Sequence, residues 1–263
     1  MNKILNKIIG LRTTQVINVI VNVFEERLQK RKMHSYPQVI AVVLTKKCNL
    51  KCIYCKDYET VGSQQISSEN YTKLAENLFP KARLIRFCSG GEPYLHKNLV
   101  DFLRIARRYN VKTLVMSNGM LIKEDVIRTI VREELITTHG FSIDGIKAST
   151  VEAIRINAKL DVVLKNVQML IRIREEEKKI QPAIKIRYTL MRSNIEELPG
   201  AVRYWGEMGV DGIECSYISL CNNIDQKESL YYHQKLLEDI FMESNKIAKE
   251  YPRLNLALPP PDS

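Results

Sequence analysis

Cysteine is scarce in this sequence: six residues among 263, three of them crowded into eight positions. So low a count excludes a disulfide-dense secreted scaffold. No signal-peptide pattern opens the chain, and a reducing, cytoplasmic compartment is therefore expected. No apolar run approaches the ~20 residues that a membrane-spanning helix needs. An arginine-rich run interleaved with aromatics is also missing, so nucleic acid is not the expected partner despite a net charge of +10. Repeats of fixed period and low-complexity tracts are absent apart from Pro259-Pro260-Pro261. What remains is 45% hydrophobic and 27% charged, a composition that suits one large α/β domain.

Half of the charge excess precedes residue 36. Lys3, Lys7, Arg12, Arg27, Lys30, Arg31 and Lys32 stand there against Glu25 and Glu26. Between Val16 and Phe24 only Asn18 and Asn22 are polar. Thr14 can cap a helix on which Ile17, Ile20, Val21, Phe24 and Leu28 form one stripe. The first reading packs that stripe on the main domain; the second sets residues 1–32 on a membrane surface as a basic-flanked amphipathic helix.

Beyond this segment, strand-like and helix-like stretches alternate. Strands are expected at Gln38–Thr45, Leu84–Cys88, Lys112–Met116, His139–Ile143, Ala183–Leu190 and Gly212–Ser219. Helices are expected from Ser67 to Leu78 and over Asn98–Tyr109, Lys123–Arg132, Asp161–Lys179, Ile195–Met208 and Glu228–Tyr251. Strands separated by helices call for a parallel sheet with right-handed crossovers. Their apolar content predicts cover on both faces. Six such units fit either an open doubly wound sheet or a partly closed barrel, and both place ligand sites just after the strands.

Cys48, Cys52 and Cys55 sit at the end of the first strand. A structural zinc site needs four protein ligands, normally from two close pairs. The second pair is missing here: Cys215 and Cys221 are six apart in another unit and Cys88 stands alone. Three thiolates suit an iron–sulfur cluster with one iron left for an outside ligand, and zinc is the second reading.

Cys48-x3-Cys52-x2-Cys55, with Tyr54 before the last cysteine, resembles the signature of the radical S-adenosylmethionine superfamily. Ser89-Gly90-Gly91-Glu92-Pro93 after the second strand resembles that family's GGEP motif. Ser117-Asn118-Gly119 follows the third strand and Ser142-Ile143-Asp144-Gly145 the fourth. The resemblance covers residues 37–258 and implies an α/β fold, a partial (βα)6 TIM-type barrel with parallel strands. Residues 1–36 would form a helical prelude and 259–263 a proline-rich terminus.

The same resemblance implies a [4Fe–4S] cluster on Cys48, Cys52 and Cys55, with S-adenosylmethionine chelated to the fourth iron. Tyr54 would stand beside the adenine, and Gly90 and Gly91 would let the backbone approach the methionine amino group, with Glu92 nearby. Ser142 would touch the ribose or methionine part, and Ser117, Asn118 and Asp144 complete the candidate cofactor contacts. Arg155 would pair with the methionine carboxylate, a bidentate match that lysine cannot make. Each has a plain reading too: packing for Tyr54, turn chemistry for the glycines, Ser142 and Asp144, and a surface helix start for Arg155. By strand position alone Asn118 and Lys185 point to the barrel mouth, which assigns them no role.

The activity implied is reductive cleavage of S-adenosylmethionine to methionine and a 5′-deoxyadenosyl radical, which takes a hydrogen atom from a substrate. Electrons would come from a flavodoxin- or ferredoxin-type donor. A peptide or protein is the first choice of substrate, ahead of small molecules, sugars and lipids. The alternative is an iron–sulfur electron-transfer or scaffold protein without radical turnover.

Glu152-Ala153-Ile154-Arg155 followed by Asp161–Asn166 resembles the branch that often carries a cysteine-rich C-terminal SPASM extension. In this sequence no cysteine follows Cys221. A natural short form, a fragment, or chemistry that needs one cluster is expected, with Cys88, Cys215 and Cys221 as buried strand or loop residues.

Overall fold

The computed structural model describes residues 12–55, 64–88, 90–219 and 225–260. Seven parallel strands make one sheet in the order β1-β3-β4-β5-β7-β8-β9. These are β1 Val39–Ala41, β3 Leu84–Phe87, β4 Lys112–Ser117, β5 Thr138–Ser142, β7 Ala183–Leu190, β8 Gly212–Tyr217 and β9 Asn255–Ala257. Parallel neighbours cannot be joined by tight turns. The crossovers accordingly carry α2 Ser68–Leu78, α3 Leu99–Arg108, α4 Glu124–Arg132, α5 Ala148–Ile154, α6 Leu160–Glu176, α7 Leu198–Met208 and α8 Gln234–Ala248. β1 and β9 end the order without pairing to each other, so the barrel is partial.

Local sequence explains the element boundaries. Ser67 caps α2 by accepting from the Asn70 amide at 3.1 Å. From that helix Tyr71 stacks on Phe102 with ring centroids 4.0 Å apart, and its hydroxyl donates to Phe102 O at 3.0 Å. This pairing fastens α2 to α3 under the first crossover. At the other end of the chain, alternation in Leu254-Asn255-Leu256-Ala257-Leu258 yields a seventh strand that the six-unit expectation omits.

The expectation of cover on both faces fails. Along β7, Ile184, Ile186, Tyr188 and Leu190 are buried under helices, whereas Lys185, Arg187 and Thr189 are only partly buried on the concave side. Register sets Ser142 opposite Arg187, and Arg187 opposite Glu214. The physical reason is closure: a curved sheet buries its convex side against helices and keeps its concave side for side chains and ligand.

The expected N-terminal helix is present, but the reading that packs its apolar stripe on the main domain fails. Helix α1 spans Thr13–Arg27 and begins after Arg12, not at a Thr14 cap. Its buried residues are Gln15, Asn18, Val19 and Glu25, while Ile17, Ile20, Val21, Phe24 and Leu28 are exposed. Specific polar bonds decide the orientation. Gln15 Nε2 donates to Ala82 O at 2.8 Å, Asn18 Nδ2 to Lys81 O at 3.0 Å, and Glu25 accepts from the amides of His34 and Ser35 at 2.9 and 3.0 Å. Leaving the buried Ala82 carbonyl unpaired would alone cost about 1–3 kcal/mol. Among the described residues, no helix is long and apolar enough to cross a membrane.

Candidate functional site

The cysteine loop leaves β1 and returns as β2, Lys51–Cys52, which pairs antiparallel with β6, Arg155–Ile156. Cys52 lies opposite Arg155, and the Ile53 amide donates to Ile154 O at 3.0 Å. One tight turn, closed by the Cys55 amide on Cys52 O at 3.0 Å, brings the third cysteine back beside the second. The three thiols line a single cavity of about 310 Å³ at the strand ends.

Tyr54, Gly90, Gly91, Glu92, Ser117, Asn118, Ser142 and Arg155 line the same cavity. Asp144 does not; it is wholly buried behind the wall, where Tyr54 Oη donates to its Oδ2 at 2.8 Å and the Thr189 amide to its Oδ1 at 2.7 Å. Arg155 Nε also lies 2.8 Å from Asp144 Oδ2, and Arg155 reaches the Tyr54 hydroxyl as well. Asn194, also buried, donates its Nδ2 to Asp144 O at 3.0 Å. Asp144 and Arg155 therefore hold each other, and Arg155 is a buried cation rather than a surface residue.

The glycine turn is shaped by its neighbours. A Cβ on Gly91 would lie 2.2 Å from Thr45 O and 2.6 Å from Lys47 O, so only glycine lets the turn lie against the cysteine loop. Gly90 has φ +80°, a left-handed conformation that costs glycine least. Next in the chain, Glu92 accepts from Ser117 Oγ at 2.9 Å, the Asn118 amide at 2.8 Å and the Tyr94 amide at 3.2 Å. A carboxylate has about four acceptor positions, so one stays free. Burial pushes the Glu92 pKa up despite these donors.

Polar hydrogens surround two of the sulfurs. Asn118 Nδ2 lies 3.9 Å from Cys48 Sγ, the Leu50 amide 3.5 Å from the same atom, and Arg155 Nη1 3.8 Å from Cys52 Sγ. Burial raises the Cys48 thiol pKa, and pushes that of Cys52 up to about 11 while Arg155 pulls the other way. Both are thiols at neutral pH, so a metal that binds there displaces protons.

Several wall residues lie outside the sequence-based set: Lys46, Met116, Arg187, Thr189 and Ser216. The two-residue alternation from Lys185 through Arg187 to Thr189 was the available signal. Lys185 itself lies lower, in a second cavity of about 700 Å³ that shares Arg187 with the first. Both Lys185 and Arg187 pair with Glu214 there. Arg86 lines that cavity without an acidic partner among the described residues, and its buried Nε has no hydrogen bond.

Of the other cysteines, Cys88 and Cys215 are free and half-buried, and Cys221 lies outside the described residues, as does Ser89 of the glycine motif.

The Radical SAM superfamily matches residues 42–205. The chain belongs to that superfamily. Its members use a [4Fe–4S] cluster and S-adenosylmethionine. Among curated relatives, the chain is 26% identical over 165 residues to Fe-coproporphyrin III synthase of Methanosarcina barkeri, covering 61% of this chain and 39% of that protein. It is 22% identical over 173 residues to the tungsten-containing aldehyde ferredoxin oxidoreductase cofactor-modifying protein of Pyrococcus furiosus, covering 65% and 48%. The chain thus spans less than half the length of either. In fold it is similar to Streptococcus suis SuiB bound to S-adenosylmethionine, with a TM-score of 0.71 at 17% identity over 93% of this chain and 56% of that one. SuiB bound to its precursor peptide SuiA gives a TM-score of 0.66 at 14% identity, over 94% of this chain and 55% of that one.

The residues present fit the cluster. Three thiols line one cavity, and among the described residues no fourth cysteine and no histidine lines it. Three thiolate donors fall short of the four protein ligands of a structural zinc site and suit an iron–sulfur cluster with one iron open.

Proposed function

We propose that residues 37–258 form the catalytic core of a radical S-adenosylmethionine enzyme that acts on a peptide presenting a carboxylate. Cys48, Cys52 and Cys55 hold its [4Fe–4S] cluster. The observation that carries this reading is the convergence of three thiols, the Gly90-Gly91-Glu92 turn and the Asn118 and Arg155 donors on one cavity. When bound, the cluster and S-adenosylmethionine supply one-electron cleavage of the sulfonium and, through it, hydrogen-atom abstraction.

The chain's own residues have definable tasks in that reaction. Gly91 brings the second strand end against the cysteine loop, and Glu92 offers its free acceptor position to an ammonium group. Asn118 and Arg155 direct N–H groups at the sulfurs, a contact that stabilises thiolate charge and tunes the cluster potential. Asp144 positions Arg155 and Tyr54 from behind the wall. Arg187 and Thr189 lead from this cavity into the concave face, where Arg86 is a cation with no acidic partner among the described residues. A guanidinium so placed suits a carboxylate brought by substrate. SuiB, crystallised with its precursor peptide, supports a peptide as that substrate.

Anaerobic incubation with deuterated peptides and deuterated small carboxylic acids, with the label followed into 5′-deoxyadenosine, tests the substrate reading. Transfer from peptides is the expected result. Transfer only from the small acids would overturn it.

A further inference from the structure

Helix α1 is mounted with its polar side in and its apolar side out. Gln15 is fully buried whereas Phe24 is 58% and Leu28 67% exposed. The bonds from Gln15, Asn18 and Glu25 to backbone groups at residues 34–36 and 81–82 prevent the helix from rolling over to hide its stripe. A groove of about 260 Å³ runs beside it between Ile17, Val21 and Tyr36, and extends the apolar surface.

Charge around this face has one sign. Arg27, Lys30, Arg31 and Lys32 follow the stripe directly, and among the described residues only Lys30 of these four has an acidic neighbour, Glu25 at 4.0 Å. The exposed acid of the helix, Glu26, lies half a turn round from Ile17. An apolar stripe followed by four cations, with the one exposed acid of the helix on its far side, complements a surface of hydrocarbon under anionic headgroups. A protein partner would need an apolar patch ringed by acids, a narrower requirement.

We propose that α1 seats the protein on an anionic phospholipid bilayer, with Ile17, Ile20, Val21, Phe24 and Leu28 in the acyl boundary and residues 27–32 at the headgroups. The rigid mounting ties the core to that surface, since the buried side of α1 is bonded to the loop before β1 and the turn before β3. The inference stands apart from the proposed catalytic reading and survives if that reading fails.

The full chain with Phe24→Trp provides the test, because the one native tryptophan, Trp205, is fully buried and adds a constant background. With phosphatidylcholine vesicles containing phosphatidylglycerol, tryptophan emission shifts to the blue and the protein floats with the vesicles; with phosphatidylcholine alone, binding is weaker. Lys30→Gln with Arg31→Gln lowers the partition coefficient roughly 30-fold, taking two charges at the usual surface contribution. Ile17→Glu with Leu28→Glu abolishes flotation and leaves the thermal midpoint in place. Flotation of this double variant equal to wild type overturns the proposal, as does absence of flotation for wild type. Emission already blue-shifted and shielded from acrylamide before vesicles are added also overturns it, since a second copy or residues 1–11 would then cover the face.

Discussion

The Tyr54 hydroxyl donates to Asp144 Oδ2 at 2.8 Å across a sequence separation of 90 residues, and Arg155 closes on the same oxygen. One buried carboxylate therefore fixes both the aromatic inside the cysteine motif and the guanidinium beside Cys52. Removing one partner of a buried pair leaves an uncompensated charge. Asp144→Asn is expected to lower unfolding stability by about 3 kcal/mol, and Tyr54→Phe by about 1 kcal/mol. Urea midpoints measure both, and iron content after reconstitution falls further in Asp144→Asn because the cysteine loop loses its clamp.

Gly91 bears on the loop from the other side. A Cβ at that position meets two backbone carbonyl oxygens, at 2.2 and 2.6 Å, neither of which can rotate away. Overpacking of this kind costs about 1–3 kcal/mol. Gly91→Ala is expected to lose stability in that range and to bind less iron, whereas Gly200→Ala, whose Cβ would meet only the end of the Ile146 side chain at 3.2 Å, behaves close to wild type.

Much of this site could be read before the fold was known, and the omissions have physical causes. Four motifs at four strand ends carried the cavity lining, because parallel α/β sheets put ligands at the carboxyl ends of strands. Arg187 and Thr189 escaped notice since their strand was read by its apolar half alone. Nothing in the chain's local pattern ties Asn194 to Asp144, as that contact exists only after a long-range crossover is formed. Helix α1 misled for the opposite reason: periodicity reports which residues share a face, not which face turns inward. Backbone carbonyls at Lys81 and Ala82, invisible to sequence pattern, chose the polar side.

His139 gives a pH dependence. It is fully buried on β5, its Nε2 lies 2.9 Å from Tyr94 Oη, and burial pushes its pKa down to about 3. The folded state thus favours the neutral ring, while the unfolded chain takes a proton near its ordinary value of 6.5. Stability is complete above pH 6.5 and falls as pH drops from 6.5 towards 3, at a limiting slope of about 1.4 kcal/mol per unit. Thermal or urea unfolding across that window measures the slope, which His139→Phe should flatten.

Arg86 separates cofactor chemistry from substrate binding. Its guanidinium lines the lower cavity, away from the cysteines. Arg86→Met is expected to leave substrate-free cleavage of S-adenosylmethionine unchanged and to raise the substrate KM roughly 30-fold, the loss of one charge-assisted bond of about 2 kcal/mol. Equal KM values in the two proteins would remove the carboxylate from the substrate assignment.

The proposed reductive cleavage of S-adenosylmethionine depends on Cys48, Cys52 and Cys55 together. It is tested most directly by anaerobic reconstitution with iron and sulfide, followed by dithionite and S-adenosylmethionine, with 5′-deoxyadenosine quantified by chromatography. The wild-type chain is expected to form it, and Cys48→Ala, Cys52→Ala and Cys55→Ala are each expected to fall to background. Cleavage undiminished in any of the three variants, or a wild-type protein that carries the cluster but leaves S-adenosylmethionine intact, would contradict the account.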